Sequence, residues 1–199
     1  MDLKILSFLF MLSALFVGLY QNKYIKKSTE KAFVYYIGYA LTNDIIVVSL
    51  SSLSIDPYIL IDLYEIITFS FFSVWYYIII KEKRKVIKYL SFLYLIILIL
   101  SLIAINNLTI SNLYALITTL IFVTLHYNSL LNKKEVVNYL SEPKFWFSSG
   151  VLIYQVGFLP VMILLIINKG QKLDIDIFTV ILNIIFYSCI IKGFLCYKK

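Results

Sequence analysis

The residues best suited to chemistry in this sequence are three acids that lie inside long apolar runs. Asp62 and Glu65 are three residues apart in "IDLYEIITFSF", and Asp44 follows Asn43 in the preceding apolar run. A carboxylate inside a bilayer costs about 2.5–3.5 kcal/mol on insertion scales and almost always faces the interior of a helix bundle. Such a group can bind a cation, carry a proton or hydrogen-bond to a neighbouring helix. Each acid is therefore a candidate site residue.

Helical rise places three polar residues at a similar depth below the same membrane surface. At about 1.5 Å per residue, Glu65 lies about 10 Å deep, Asn183 about 12 Å and Asp44 about 13 Å. We expect Asp44, Glu65 and Asn183 to line a ligand pocket that opens to the outside. No basic residue lies at that depth, so the acids are either protonated or met by water or a cationic ligand. A protonated acid hydrogen-bonded to a neighbouring helix is the structural alternative.

The two acids of helix 3 are expected to differ because of their depth. Asp62, at about 6 Å, is expected to be hydrated and ionised. Glu65 is expected to point into the bundle, close to helix 2 or helix 7, and to be at least partly protonated because desolvation disfavours the charged form.

Two further sets of residues are candidates for packing, movement or proton sensitivity. Gly150, Tyr154 and Gly157 fall on one face of a helix, which permits close approach of a neighbouring helix. Gln155 adds an interior amide, and Pro160 is expected to bend the outer third of this helix. His126, the only histidine, is a candidate proton-sensitive residue, with a hydrogen-bonded packing role as the alternative.

The elements that position these residues are transmembrane helices. Of the 199 residues, 61% are hydrophobic and 15% charged, and the mean hydropathy is +0.89. The apolar residues form runs of about 20, the length that crosses a bilayer core. The sequence therefore predicts one all-α membrane domain, a seven-transmembrane-helix bundle covering 1–199, with helices at 3–20, 31–53, 58–80, 86–105, 110–131, 145–167 and 175–197.

The distribution of positive charge predicts the orientation of the bundle. Fifteen of the 18 Lys and Arg residues lie in 23–31, 81–88, 133–144 and 192–199, which would share one side of the membrane. Only Lys4, Lys169 and Lys172 are left for the other side. The positive-inside rule then places the N-terminus outside and the C-terminus in the cytoplasm of a cell (inner) membrane. The net charge of +7 is thus a topology signal, and no nucleic-acid partner is expected.

Aromatic residues and one charged joint are predicted to lie at the cytoplasmic surface. Aromatic rings near span ends commonly sit at the level of the lipid headgroups. This group comprises Tyr20, Tyr24, Tyr35, Tyr36, Trp75, Tyr76, Tyr77, Tyr89 and Trp146. The joint 132–144 places Val136, Val137 and Leu140 at helical spacing among charges, which predicts a short amphipathic turn ending at Pro143.

Three segments resemble a family of small, uncharacterised seven-helix bacterial integral membrane proteins. They are "DLYEIITF" on helix 3, "PKFWFSSGVLIYQVGF" on helix 6 and "ILNIIF" on helix 7. The resemblance covers nearly the whole chain and implies that Glu65, Trp146, Gly150 and Tyr154 are the positions to examine. It implies no activity. Retinal-binding proteins fit poorly, because Lys192 lies near the inner end of helix 7 rather than at its middle.

These features favour a non-catalytic receptor-like or signalling subunit that acts through a separate cytoplasmic partner. The alternative is a small transporter or proton-coupled carrier that uses Glu65 and Asp44. We expect no catalytic residue, metal ligand or cofactor, because the sequence contains neither H-E-x-x-H nor G-x-S-x-G. A purely structural assembly subunit also fits the composition.

The predicted orientation can be tested with reporters. A reporter fused after Lys199 is expected to be active only in a form that requires the cytoplasm, because the charge bias places this end inside. Fusions to a phosphatase that folds only outside the cytoplasm provide the comparison. Activity of the external reporter at this position would show that one predicted span does not cross the membrane or that the orientation is reversed.

Overall fold

Seven α-helices form the fold, and no strand occurs in the ranges that the structure describes. The computed structural model describes residues 3–105, 108–132, 138–167 and 176–197. In chain order the helices are α1 (Leu3–Gln21), α2 (Ser28–Ser52), α3 (Tyr58–Ile79), α4 (Arg84–Leu100), α5 (Thr109–Leu131), α6 (Pro143–Ile167) and α7 (Asp176–Leu195). A π-helical turn at Ser101–Ile105 continues α4, and short 3₁₀ turns at Lys81–Lys83 and Tyr139–Ser141 precede α4 and α6. Helices suit lipid because they satisfy their own backbone hydrogen bonds.

Six of the seven helices, α2 to α7, are long and apolar enough to cross a membrane. The sequence prediction of an all-helical, multi-pass membrane bundle is thereby confirmed. In α1 the side chains are described from Ile5 onward, and Ile5–Gln21 forms a shorter apolar helix. Its role as a seventh span stays a prediction.

The helix boundaries differ from the predicted ones mainly where polar residues extend a helix. α2 begins at Ser28 rather than 31, and Pro143 begins α6 instead of ending the preceding joint. Proline is favoured at the first helical position because its missing N–H would have no partner there. Of the predicted amphipathic turn, Leu140 is exposed in a 3₁₀ turn.

Several predicted features fall outside the residues that the structure describes. They are Val136 and Val137 of the amphipathic turn, position 175 at the start of the seventh helix, and the basic residues Lys133, Lys134, Lys169, Lys172, Lys198 and Lys199.

Consecutive helices run in opposite directions, which gives the bundle two distinct ends. At one end, which we call the Arg84 end, Phe147 near the start of α6 packs against Phe194 near the end of α7, with ring centroids 5.2 Å apart. The other, the Pro57 end, contains the tight α2–α3 joint. There the Asp56 carboxylate accepts a hydrogen bond from the Tyr58 N–H at 3.0 Å.

Aromatic side chains fill the half of the bundle nearest the Arg84 end. Phe33 stacks on Phe147 with centroids 4.5 Å apart and meets the edge of Trp75 at 4.9 Å. Phe33, Phe147 and Phe194 are completely buried, and Trp75 is 2% exposed. We call this set the aromatic core; it joins α2, α3, α6 and α7.

The aromatic core corrects the headgroup assignment of three rings. Tyr36, Trp75 and Tyr76 are buried inside the bundle, whereas Tyr20, Tyr35 and Tyr89 are exposed as expected. The prediction used the position of each ring along its helix. That position does not specify which face of the helix carries the ring.

A buried ion pair closes the Arg84 end. Lys144 Nζ lies 3.8 Å from Glu30 Oε1, and the Glu30 side chain is 6% exposed. Burial raises the pKa of Tyr197, and the charge of nearby Glu30 raises it further. The starts of α2 and α6 and the turn after α7 therefore meet around one carboxylate.

Two glycines of α6 allow α7 to pack directly against it. A Cβ placed on Gly150 would lie 3.1 Å from the Cβ of Cys189 and 3.2 Å from the carbonyl oxygen of Phe186. A Cβ placed on Gly157 would contact the end of the Leu182 side chain, which can rotate away. Gly150 is thus the more rigid of the two contacts, because it faces the backbone of α7.

Gly150→Ala is expected to destabilise the protein, whereas Gly38→Ala is not. The added methyl at Gly150 forces α7 to shift, and overpacking typically costs about 1–3 kcal/mol. A methyl added at Gly38 would lie 3.9 Å from Leu15 Cδ1, an ordinary van der Waals contact and the nearest described atom outside its own helix backbone. There alanine gains helix propensity of up to about 1 kcal/mol. Melting temperatures in one detergent compare the two variants, and equal values would show that α7 is not fixed against Gly150.

Candidate functional site

A cavity of about 240 Å³ lies between α2, α3, α5, α6 and α7. On α3 it extends from Ile61 to Phe72, and Phe72 is about 21 Å along α3 from Tyr58 at the usual rise. The cavity therefore extends from near the Pro57 end past the midpoint of α3 and meets the aromatic core there, where Phe72 packs against Phe33. Its polar lining consists of Tyr36, Tyr64, Glu65, Thr68, Asn112, Thr119, Tyr154, Gln155, Asn183 and Tyr187.

The cavity exists because the residues around it are smaller or more polar than those of the aromatic core. On α5, Ala115 and Thr119 face it, while the larger Phe122, one turn further, is completely buried among rings. On α6, Val151 lines the cavity and Phe147, one turn closer to the Arg84 end, fills the aromatic core. On both helices the side chains become larger towards the Arg84 end, and the cavity ends where they do.

Glu65 supplies the single carboxylate among the described residues of the cavity wall. It is half-buried, and in the described ranges it makes no hydrogen bond or salt bridge. The described lining contains no Lys, Arg or His. The carboxylate therefore faces a space in which the chain itself provides no positive charge.

Three amide side chains reach the same space from three helices. Asn112 comes from α5, Gln155 from α6 and Asn183 from α7. An amide offers both hydrogen-bond donors and acceptors. The cavity can therefore hold a polar group in addition to the group that meets Glu65.

Four tyrosines complete the wall, one from each of α2, α3, α6 and α7. The hydroxyl oxygens of Tyr36 and Tyr64 are 3.5 Å apart. Tyr154 stacks on Phe158 with centroids 5.8 Å apart and packs at 5.7 Å from Phe186 of α7. Tyr187 is 3% exposed.

Sequence reasoning missed most of this tyrosine set and Asn112. Tyr36 was assigned to the headgroups, and Tyr64, Tyr187 and Asn112 carried no signal. Tyrosine is enriched at the membrane–water interfaces, so a lone tyrosine favours a headgroup position and gives no indication of which helix face carries it. The adjacency of Tyr64 to Glu65 offers a weak clue, because neighbouring helical residues point about 100° apart and both can reach one cavity.

Of the predicted pocket residues, Glu65 and Asn183 line the cavity and Asp44 does not. Asp44 is half-buried on α2, eight residues beyond Tyr36. Eight residues rotate a helix by two turns and about 80° more, so Asp44 and Tyr36 leave α2 in different directions. Depth alone does not bring a side chain into a pocket. Asp62 also lies outside the lining.

The predicted residues of α6 divide between the cavity and the helix contacts. Tyr154 and Gln155 line the cavity, while Gly150 and Gly157 lie against α7. Trp146 is near the Arg84 end, where its indole Nε1 donates a hydrogen bond to the carbonyl oxygen of Leu140 at 2.9 Å. α6 continues through Pro160 as far as Ile167.

His126 lies in the aromatic half of the bundle rather than in the cavity wall. It is buried, with its ring centroid 6.1 Å from that of Tyr76 and 6.2 Å from that of Trp75. Its surroundings are those of a packing residue.

Glu65→Gln and Glu30→Gln make the same chemical change and are expected to affect stability differently. Removing one partner of a buried ion pair costs about 3–5 kcal/mol, and less at Glu30 because the Lys144 side chain is 22% exposed. At Glu65 no described hydrogen bond or salt bridge is lost. Thermal unfolding in detergent should therefore show a lower melting temperature only for Glu30→Gln. An equally large decrease in the melting temperature of Glu65→Gln would show that Glu65 makes a hydrogen bond or ion pair that stabilises the fold.

Comparisons with protein-family models, with curated proteins and with solved structures found no match for this chain. The resemblance to the uncharacterised seven-helix family therefore stays a prediction, and the functional argument depends on the cavity.

Proposed function

We propose that this chain is a non-catalytic, receptor-like membrane protein whose ligand binds in the cavity at Glu65. The observation that carries the proposal is the convergence of polar side chains from five helices on one space of about 240 Å³. Buried polar groups are expensive in a membrane and mark functional sites by default. A ligand that contacts five helices favours the helix arrangement to which it binds best, and this is how occupancy becomes a conformational signal.

The orientation we propose places the N-terminus outside and the Arg84 end in the cytoplasm of a cell (inner) membrane. Fifteen of the 18 Lys and Arg residues support it through the positive-inside rule. In this orientation the cavity lies on the outer side of the aromatic core, within reach of ligands from outside the cell.

The output of the receptor would pass to a separate cytoplasmic signalling protein. The described connections between helices are short, such as the five residues 53–57 between α2 and α3, and none has room for a folded domain. The Arg84 end exposes Lys81, Lys83 and Lys85. These charges suit an acidic surface of a partner, and they also attract anionic lipid headgroups.

A proton-coupled carrier is the second candidate, and the state of Glu65 favours it. A carboxylate without a described hydrogen bond or salt bridge can exchange a proton for a cationic substrate. The carrier predicts flux into proteoliposomes that depends on pH and is abolished by Glu65→Gln. Ligand binding without flux would favour the receptor.

Ligand binding in the cavity can be tested with a matched pair of α5 variants. Ala115 lines the cavity and is 8% exposed, whereas Ile117 is 43% exposed on the perimeter. Ala115→Leu should fill part of the cavity, and Ile117→Phe adds bulk towards lipid. A panel of compact cationic, neutral and anionic compounds is screened for a rise in the melting temperature of the full chain. A ligand at 100 times its Kd stabilises the folded state by about 2.7 kcal/mol.

At least one compound should stabilise the wild type and Ile117→Phe but not Ala115→Leu. The proposal fails if no compound raises the melting temperature. It also fails if every stabilising compound acts equally on Ala115→Leu, because the binding site is then elsewhere.

A further inference from the structure

We infer that the ligand of this cavity is a compact organic monocation, held by the Glu65 carboxylate and by the aromatic rings around it. The inference rests on the proposed function, since it names the class of molecule that the same cavity accepts. Charge, size and the chemistry of the wall each lead to it.

No described side chain of the cavity wall balances the negative charge of the Glu65 carboxylate. Glu65 is the one carboxylate of the described wall, and no described lining residue carries a positive charge. An unpaired charge in a low-dielectric site is costly, and an opposite charge at close range offsets part of that cost. A monocation matches the single carboxylate, whereas an anion would add to the repulsion.

The size of the cavity limits the ligand to a small molecule. Drug-sized ligands occupy pockets of about 300–1,000 Å³, and this cavity measures about 240 Å³. An amine or ammonium compound with a short substituent fits this volume, but a lipid or a peptide does not.

The wall is better suited to an organic cation than to a bare metal ion. A metal ion such as Ca²⁺ requires about six to eight oxygen ligands. Among the described residues no group of three or more His, Cys, Asp or Glu is placed to hold a metal ion. The wall instead contains four tyrosines together with Phe69, Phe72, Phe158 and Phe186. Aromatic rings attract alkylated ammonium groups through cation–π contacts and also accept their apolar substituents.

The three amides indicate that the cation carries a second, polar group. Gln155 and Asn183 belong to α6 and α7, and Asn112 belongs to α5. A hydroxyl or carbonyl on a short arm would give these amides a partner. The ligand we infer therefore has an ammonium head for Glu65 and the tyrosines, and a small polar tail for the amides.

The inference is tested with choline and its uncharged carbon isostere, neohexyl alcohol, which has nearly the same shape. Binding to the full chain in detergent is measured by isothermal titration and by the shift in melting temperature. Choline is expected to bind at least about tenfold more tightly than the alcohol, a ratio that corresponds to about 1.4 kcal/mol. Sodium chloride at the same ionic strength should produce no comparable shift.

Two substitutions assign the preference to particular groups. Glu65→Gln should remove most of the preference for choline over the alcohol while leaving the binding of the alcohol unchanged. Tyr154→Phe keeps the ring and should keep the preference, whereas Tyr154→Leu should reduce choline binding. Because the alcohol reports on the cavity itself, a variant that no longer folds is recognised by losing both probes.

The outcomes separate this inference from the proposed function. If neutral or anionic compounds bind in the cavity as tightly as choline, the inference of a cationic ligand is wrong, whereas the proposal that the cavity binds a ligand is supported. Sodium acting as strongly as choline also overturns the organic class. If Glu65→Gln keeps the preference for choline over the alcohol, the Glu65 carboxylate does not hold the cation. If no compound of any charge binds, both the cation class and the proposed function fail.

Discussion

A carboxylate in the middle of a membrane helix must be surrounded by protein, and the arrangement of this bundle follows from that constraint at Glu65. Five helices enclose the space that Glu65 faces, and each contributes at least one polar side chain to it. α4 contributes none, and its exposed residues include Phe92, Leu95 and Ile99. The acid and three amides thus share one space, while apolar side chains cover the exposed face of α4.

The cost of this polar interior is offset in the other half of the bundle. In lipid there is little hydrophobic drive between helices, so close packing must hold them together. The aromatic core supplies that packing through the stack of Phe33 on Phe147, and Gly150 lets α7 approach the backbone of α6. The folded state therefore depends mainly on contacts outside the cavity. Glu65 and the three amides of the cavity wall, which make no described side-chain hydrogen bond, are available to a ligand.

Six apolar membrane helices and the place of Glu65 in the cavity wall agree with the expectations from the sequence. Both follow from properties that add along the chain. Apolar length predicts a membrane helix, and an acid within that length predicts an interior position. Tyr36 and Asp44 show where this reasoning ends. Both lie on α2, and the sequence assigned one to the headgroups and the other to the pocket, whereas Tyr36 lines the cavity and Asp44 does not. Which face of α2 turns inward is decided by contacts with α3 and α6, such as Tyr36 on Phe71 with centroids 4.4 Å apart. No periodic pattern in α2 encodes those contacts, because its polar residues gather at the two ends of the helix and at 42–44 rather than along one face.

The α6–α7 pair connects the cavity to the Arg84 end through one continuous set of contacts. Tyr154 lines the cavity and packs on Phe186, and the Phe186 backbone is also what Gly150 faces. One turn further, the ring of Phe147 fills the space beside Gly193 of α7, and Lys192 Nζ lies 6.0 Å from the Trp146 ring. Closely packed helices move as rigid bodies or shift between discrete arrangements, since their interfaces do not deform continuously. In the receptor we propose, a ligand that displaces Tyr154 must therefore either break the contact at Gly150 or carry α7 with α6. The second course moves Lys192 and Trp146 at the surface where a cytoplasmic partner would bind.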